Sequence, residues 1–140
     1  MTRILSIDYG NKRVGLAVSD PLKMIATSLP TMTIASMDDA VKNLFDILQN
    51  YDIEAIIIGY PLGISGKKTD QTEIVDKFIK KMKELTKIVI IPWDERYTSV
   101  EAKQILREKG VKSRHDKGLI DQMSARIILQ EYLNSISGGL

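Results

Sequence analysis

The sequence predicts one α/β domain over residues 1–140: a mixed five-stranded sheet with three antiparallel N-terminal strands and two further parallel strands, flanked by about four helices. Three observations point there. Two alternating apolar runs near the N-terminus flank a short link of turn residues. Past residue 36 the apolar period changes from two to that of a helix. Two later runs are apolar on both faces, the mark of buried parallel strands.

Taken in order, residues 3–8 and 13–19 are the first two strands, and Tyr9-Gly10-Asn11-Lys12 between them reads as a hairpin link. A third strand is expected over 26–34, at a sheet edge because Pro30 has no N–H for a central ladder. Ser36 and Asp39 mark the start of a helix over 37–50, with Val41, Leu44, Phe45 and Leu48 as its apolar stripe. Residues 54–59 form a buried parallel strand. A glycine-containing loop follows, and then a helix over 69–85 with Val75, Phe78, Ile79 and Met82 facing the core. The fifth strand spans 87–92 and closes at Pro92. Thr98 and Glu101 form a capping box for a helix reaching Lys109, and Gly110 ends it. The last helix covers 116–135. Right-handed crossovers make strands one, four and five parallel, so their carboxyl ends share one edge, where such sheets bind ligands.

A chain of 140 residues is long enough to bury a core as one domain. Its hydrophobic (44%) and charged (27%) fractions are those of a soluble globular protein, and no apolar stretch is long enough to cross a bilayer. The N-terminus enters a strand at once without the sections of a secretory signal, which argues against export. The absence of cysteine excludes disulfides and thiolate metal sites and is consistent with a reducing cytosol. A formal net charge of +2 carries no argument for nucleic acid. However, residues 103–117 hold six basic side chains against two acids, a local net charge of +4 suited to a phosphate backbone or to a solvated surface.

Three carboxylates occupy places that disfavour charge. Asp8 closes the first apolar strand, Glu95 follows the fifth, and Asp121 lies on the line of Ala125, Ile128 and Tyr132 in the last helix. Each has a structural alternative: Asp8 as a turn cap, Glu95 as a partner of Arg96, and Asp121 as a first-turn residue favoured by the helix dipole. Three at one sheet edge are better explained by a divalent cation, since burying unpaired carboxylates together costs on the order of several kcal/mol. An all-oxygen donor set favours Mg²⁺ or Mn²⁺, one or two ions, and such sites serve phosphodiester cleavage. Asp8, Glu95 and Asp121 are therefore both the candidate catalytic residues and the candidate metal ligands.

Around them, Arg13 and Arg96 are placed to contact phosphate. Gly59, Gly63 and Gly66, in a loop between strand and helix, are placed to hold phosphate through backbone N–H groups, although the loop does not match a Walker motif. Lys112 and Arg114 in the basic segment are candidates for flanking backbone. His115 reads as a surface residue. Trp93 and Tyr97 are candidates for base stacking or for completing the core. Ser19-Asp20-Pro21 is a turn signal.

Four segments together carry a resemblance: Asp8-Tyr-Gly-Asn-Lys-Arg-Val-Gly-Leu-Ala-Val-Ser-Asp20, Gly59-Tyr-Pro-Leu-Gly-Ile-Ser-Gly66, Asp94-Glu-Arg-Tyr-Thr-Ser99 and Asp121-Gln-Met-Ser-Ala125. In this order, over nearly the whole chain, they resemble the YqgF family of Holliday-junction-resolvase-like nucleases with a ribonuclease H-like fold. The resemblance implies a cytoplasmic metal-dependent nuclease that matures the 5′ end of the 16S ribosomal RNA precursor. It also places the family's acids at Asp8, Glu95 and Asp121. Ser99 and Ser124 depart from the family's frequent threonine and alanine and leave the acids intact. The expected partner is nucleic acid, ribosomal RNA precursor or branched DNA, with no membrane, and the expected state is a monomer or weak homodimer. The alternatives are a Holliday junction resolvase acting on branched DNA and a non-catalytic nucleic-acid-binding or transcription-associated module. A relation to sugar kinases and actin-like ATPases ranks last, because those enclose a nucleotide between two such domains.

Overall fold

The computed structural model describes residues 1–94 and 117–137, with side chains in the second stretch from Met123 onward. Five strands form one sheet: β1 (Arg3–Tyr9), β2 (Arg13–Ser19), β3 (Ala26–Thr33), β4 (Ile53–Tyr60) and β5 (Val89–Asp94). The described helices are α1 (Met37–Asn50), α2 (Asp70–Leu85) and α3 (Lys117–Ile136). The strand order is β3-β2-β1-β4-β5, with β1–β2 and β2–β3 antiparallel and β1–β4 and β4–β5 parallel, as the sequence implies. The helix expected over 98–109 lies outside the described residues.

Side-chain alternation along the central strands feeds two cores. Leu5, Ile7 and Tyr9 of β1 join Ile56 and Ile58 of β4 and the apolar stripes of α1 and α2. Ile4 of β1, with Ala17 of β2 and Ala55 and Ile57 of β4, packs against Ala125, Ile128, Leu129 and Leu133 of α3. Successive side chains point to opposite faces of a strand, so helices cover both sides of the sheet and every central strand is buried twice.

The local signals act as expected at most ends. Ser36 caps α1 by accepting from the Asp39 N–H. α2 buries the expected Val75, Phe78, Ile79 and Met82, and its start carries an unanticipated reciprocal capping box of Thr69 and Thr72. Pro30 lies exposed in edge strand β3, at the point where the register against β2 slips between Leu16↔Leu29 and Val14↔Met32. The extra residue there is a bulge that accommodates the missing donor.

Two expectations change. Phe45 is not part of the α1 stripe: it is 44% exposed, and Ala40 and Leu44 are the buried residues of that helix. β5 does not close at Pro92 but runs to Asp94, with Pro92 paired to Ile58. Among the described residues β5 is an edge strand, where a residue without an N–H is tolerated. For the same reason it is half-exposed along much of its length rather than buried.

Candidate active site

The carboxyl ends of β1, β4 and β5 lie side by side. Ile7 pairs with Ile58, Gly59 with Trp93 and Tyr60 with Asp94, so Asp8, Gly59 and the end of β5 stand along one edge. Asp8 is half-buried. Its face of the sheet follows from Ser6, two residues earlier: the fully buried Ser6 hydroxyl donates to the Ala125 carbonyl of α3 at 2.7 Å. Residues two apart on a strand share a face, which puts Asp8 on the side that α3 covers.

Asp8 also stands between two glycines. Its antiparallel partner is Gly15, and on the β4 side the residue after Ile58 is Gly59, both buried. Neither neighbour brings a side chain onto the face the carboxylate occupies, so the strand positions on both sides leave room beside it. A carboxylate flanked by glycines, with no Cβ beside it on either neighbouring strand, is an oxygen donor of the kind that suits a divalent cation. Among the described residues no three potential ligands gather, and the remaining candidates lie beyond them. Glu95 is one peptide past Asp94 and outside the described residues, as are Arg96, Lys112 and Arg114. Asp121 falls within α3, four residues before Ala125, and its side chain lies outside the described set.

Arg13 opens β2 at the hairpin tip, on the same edge as Asp8. The glycine loop after β4 is closed on itself. The Gly63 N–H donates to the Lys67 carbonyl and the Gly66 N–H to the Gly63 carbonyl, both at 2.8 Å, so neither amide is available to a phosphate in this conformation. Gly66 sits at φ 85°, a left-handed backbone that requires glycine there. In this conformation the two glycines turn the chain.

A tyrosine, a carboxylate and a lysine fasten the base of that loop. Tyr60 donates to Asp76 at 2.7 Å and Lys68 reaches the other carboxylate oxygen at 3.0 Å. Partial burial pushes the Asp76 carboxyl up, but the two donors outweigh it and hold the group below the usual carboxylate range. Tyr60 moves up, through burial and then its bond to Asp76. Trp93, a candidate for stacking on bases, is instead committed to α3: its indole N–H donates to Glu131 at 3.0 Å and its ring meets Tyr132 edge-on at 5.7 Å. Asp20 is a turn residue as expected, accepting from the Met24 and Ile25 N–H groups at 2.8 Å each.

Sequence reasoning overlooked Ser6, Gly15 and the Tyr60–Asp76–Lys68 set. A serine in the middle of an apolar strand, two positions before the acid, was a visible signal. Glycine opposite Asp8 was not, because it depends on the pairing register.

Comparison with known proteins bears on the family and the fold. Residues 2–135 match the family model described as RuvX: Holliday junction resolvase. The chain belongs to this family. The resemblance carried by the four motifs is thereby borne out for what is the RuvX/YqgF family. A relative from Ruminiclostridium cellulolyticum, named "Putative pre-16S rRNA nuclease", is 44% identical over 137 residues, covering 97% of this chain and 96% of the relative. One of the same name from Syntrophus aciditrophicus is 40% identical over 135 residues, covering 96% and 90%. Among solved structures, T. thermophilus RuvC in complex with Holliday junction substrate aligns with a TM-score of 0.59 at 13% identity, covering 99% of this chain and 98% of that one. That likeness bears on the fold, which is ribonuclease H-like.

Proposed function

We infer that this RuvX-family chain is a metal-dependent endonuclease that hydrolyses phosphodiester bonds in 5′-end maturation of pre-16S ribosomal RNA. The observation that carries this reading is Asp8: a carboxylate at the shared edge of the parallel strands, on the α3 face, with glycines at the strand positions on either side. The names of the curated relatives supply the substrate.

In this reading Asp8, Glu95 and Asp121 hold one or two divalent cations, Mg²⁺ or Mn²⁺. When bound, such ions stabilise negative charge on the phosphoryl oxygens and help activate the attacking water. The chain's own residues supply the rest. β1 and β5 are two inter-strand spacings apart, roughly 10 Å, a gap that acidic side chains reaching inward from both can close around a cation. Gly59 lies between them and leaves that gap open. Arg13 and Arg96 orient the scissile phosphate, and Lys112 and Arg114 hold flanking backbone. The 140 residues act as a single domain, in the cytoplasm, as a monomer or weak homodimer. A second reading, resolution of branched DNA by the same acids, is favoured by the family's description.

The test is cleavage of labelled ribosomal RNA precursor, unstructured RNA, duplex DNA and a four-way junction, with Mn²⁺, Mg²⁺ or chelator. Wild type is compared with Asp8→Asn, which removes a ligand charge at little change in volume. Cleavage by wild type alone, and only with metal, is the expected result, and the preferred substrate separates the two readings. Equal activity of the two proteins would overturn the assignment of Asp8.

A further inference from the structure

We propose that the β1–β2 hairpin tip is a second phosphate site, in which Asn11 and Lys12 grip a backbone phosphate flanking the one that is cleaved. The proposal rests on the nuclease reading and extends it to residues that no part of that reading uses. Gly10, Asn11, Lys12 and Arg13 line an open recess of about 270 Å³. It lies just past the carboxyl end of β1, two residues beyond Asp8, a Cα separation of roughly 7 Å along a strand.

The tip is braced from two directions. The Gly10 N–H donates to the Arg13 carbonyl at 3.0 Å, and the Ile34 N–H donates to the Lys12 carbonyl at 2.9 Å. Gly10 is needed for the first of these, since a Cβ there would stand 2.7 Å from the Arg13 oxygen. Ile34 is buried in the core below, so the second brace is anchored. A backbone held at both points presents the exposed Asn11 and Lys12 in a set geometry, which lowers the ordering cost of gripping a ligand.

Charge points the same way. A polyanion approaching a carboxylate edge is repelled until cations meet it, and Lys12 is positioned to do so. Among the described residues Lys12, like Lys42 on α1, takes part in no ion pair; what sets Lys12 apart is its place at the braced tip beside the carboxyl end of β1. The Lys12 ammonium and the Asn11 amide N–H are both donors that a phosphate oxygen can accept from, and contacts of this kind to phosphate position a strand without reading its sequence.

The experiment measures the affinity for a single-stranded RNA oligonucleotide in chelator, from 50 to 200 mM salt (values on the order of those used for such titrations), for wild type, Lys12→Ala, Asn11→Ala and the α1 surface control Lys42→Ala. Lys12→Ala should weaken binding several-fold, equally for unrelated sequences, and reduce the log–log salt slope by about 0.7, the loss of one phosphate contact on a single strand. Asn11→Ala should weaken binding without changing the slope, and Lys42→Ala should do neither. An unchanged slope for Lys12→Ala, with wild type binding well, overturns the proposal and leaves the nuclease reading standing. Absence of binding by wild type in chelator overturns the proposal alone, because the metal-dependent cleavage test decides the nuclease reading separately. In a second arm, inorganic phosphate should compete no better than other salt of equal ionic strength; saturable competition would assign the recess to a free phosphate instead.

Discussion

Replacing Ser6 by alanine probes the contact that ties the strand of Asp8 to the helix of Asp121. The Ser6 side chain is fully buried and its hydroxyl donates to the Ala125 carbonyl at 2.7 Å. Such a bond contributes about 0.5–1.5 kcal/mol net. The Ala125 oxygen, lying inside a helix, keeps its own turn's amide as a partner, so its removal does not strand a bare acceptor. The void left is a single oxygen. The expected loss is therefore about 1 kcal/mol, a fall in Tm of roughly 4 °C for a chain of this size. The consequence for the site is separate: with the tie gone, the described contacts that hold α3 to β1 are apolar, and these fix depth better than register. Ser6→Ala should bind Mn²⁺ several-fold more weakly in a spectroscopic titration that needs no turnover, while circular dichroism stays native. Unchanged stability would refute the energetic argument. A destabilised variant with wild-type Mn²⁺ affinity would refute the link between this contact and the acids.

Other outcomes follow from the described contacts. The Asp20 carboxyl is held below its ordinary range by the Ile25 and Met24 N–H groups that donate to it. A depressed folded-state value contributes stability above the unfolded value and loses it as pH falls through the folded one. Asp20→Asn should thus be less stable than wild type at neutral pH, with the gap closing in acid, as urea unfolding at several pH values will read. On α1, Leu44→Ala should cost about 2–5 kcal/mol as a core truncation, whereas Phe45→Ser should cost clearly less because Phe45 is 44% exposed and Leu44 is fully buried. Comparable losses at both positions would contradict the packing of this helix.

Helix and strand positions were largely legible because their signals are local. Alternation marked β1 and β2, Ser36 announced α1, the apolar stripe of Val75, Phe78, Ile79 and Met82 marked α2, and the both-sided apolar run marked β4. Asp8 could be singled out in the same way, as a charge at the end of an apolar strand. Periodicity does not, however, say which neighbour a residue meets. That Asp8 stands between Gly15 and Gly59 depends on cross-strand register. The indole of Trp93 is occupied by Glu131, 38 residues away, and Ser6 closes onto Ala125 across 119 residues. Pro92 reads as a stop until β5 is seen at the edge, and Phe45 reads as core until the rotation of α1 over the sheet leaves it outside. Hydrophobic period and capping act within a few residues, so the elements and the candidate acid can be read along the chain. What surrounds that acid is set by pairing register and helix placement, contacts between segments far apart in the chain that only folding brings together.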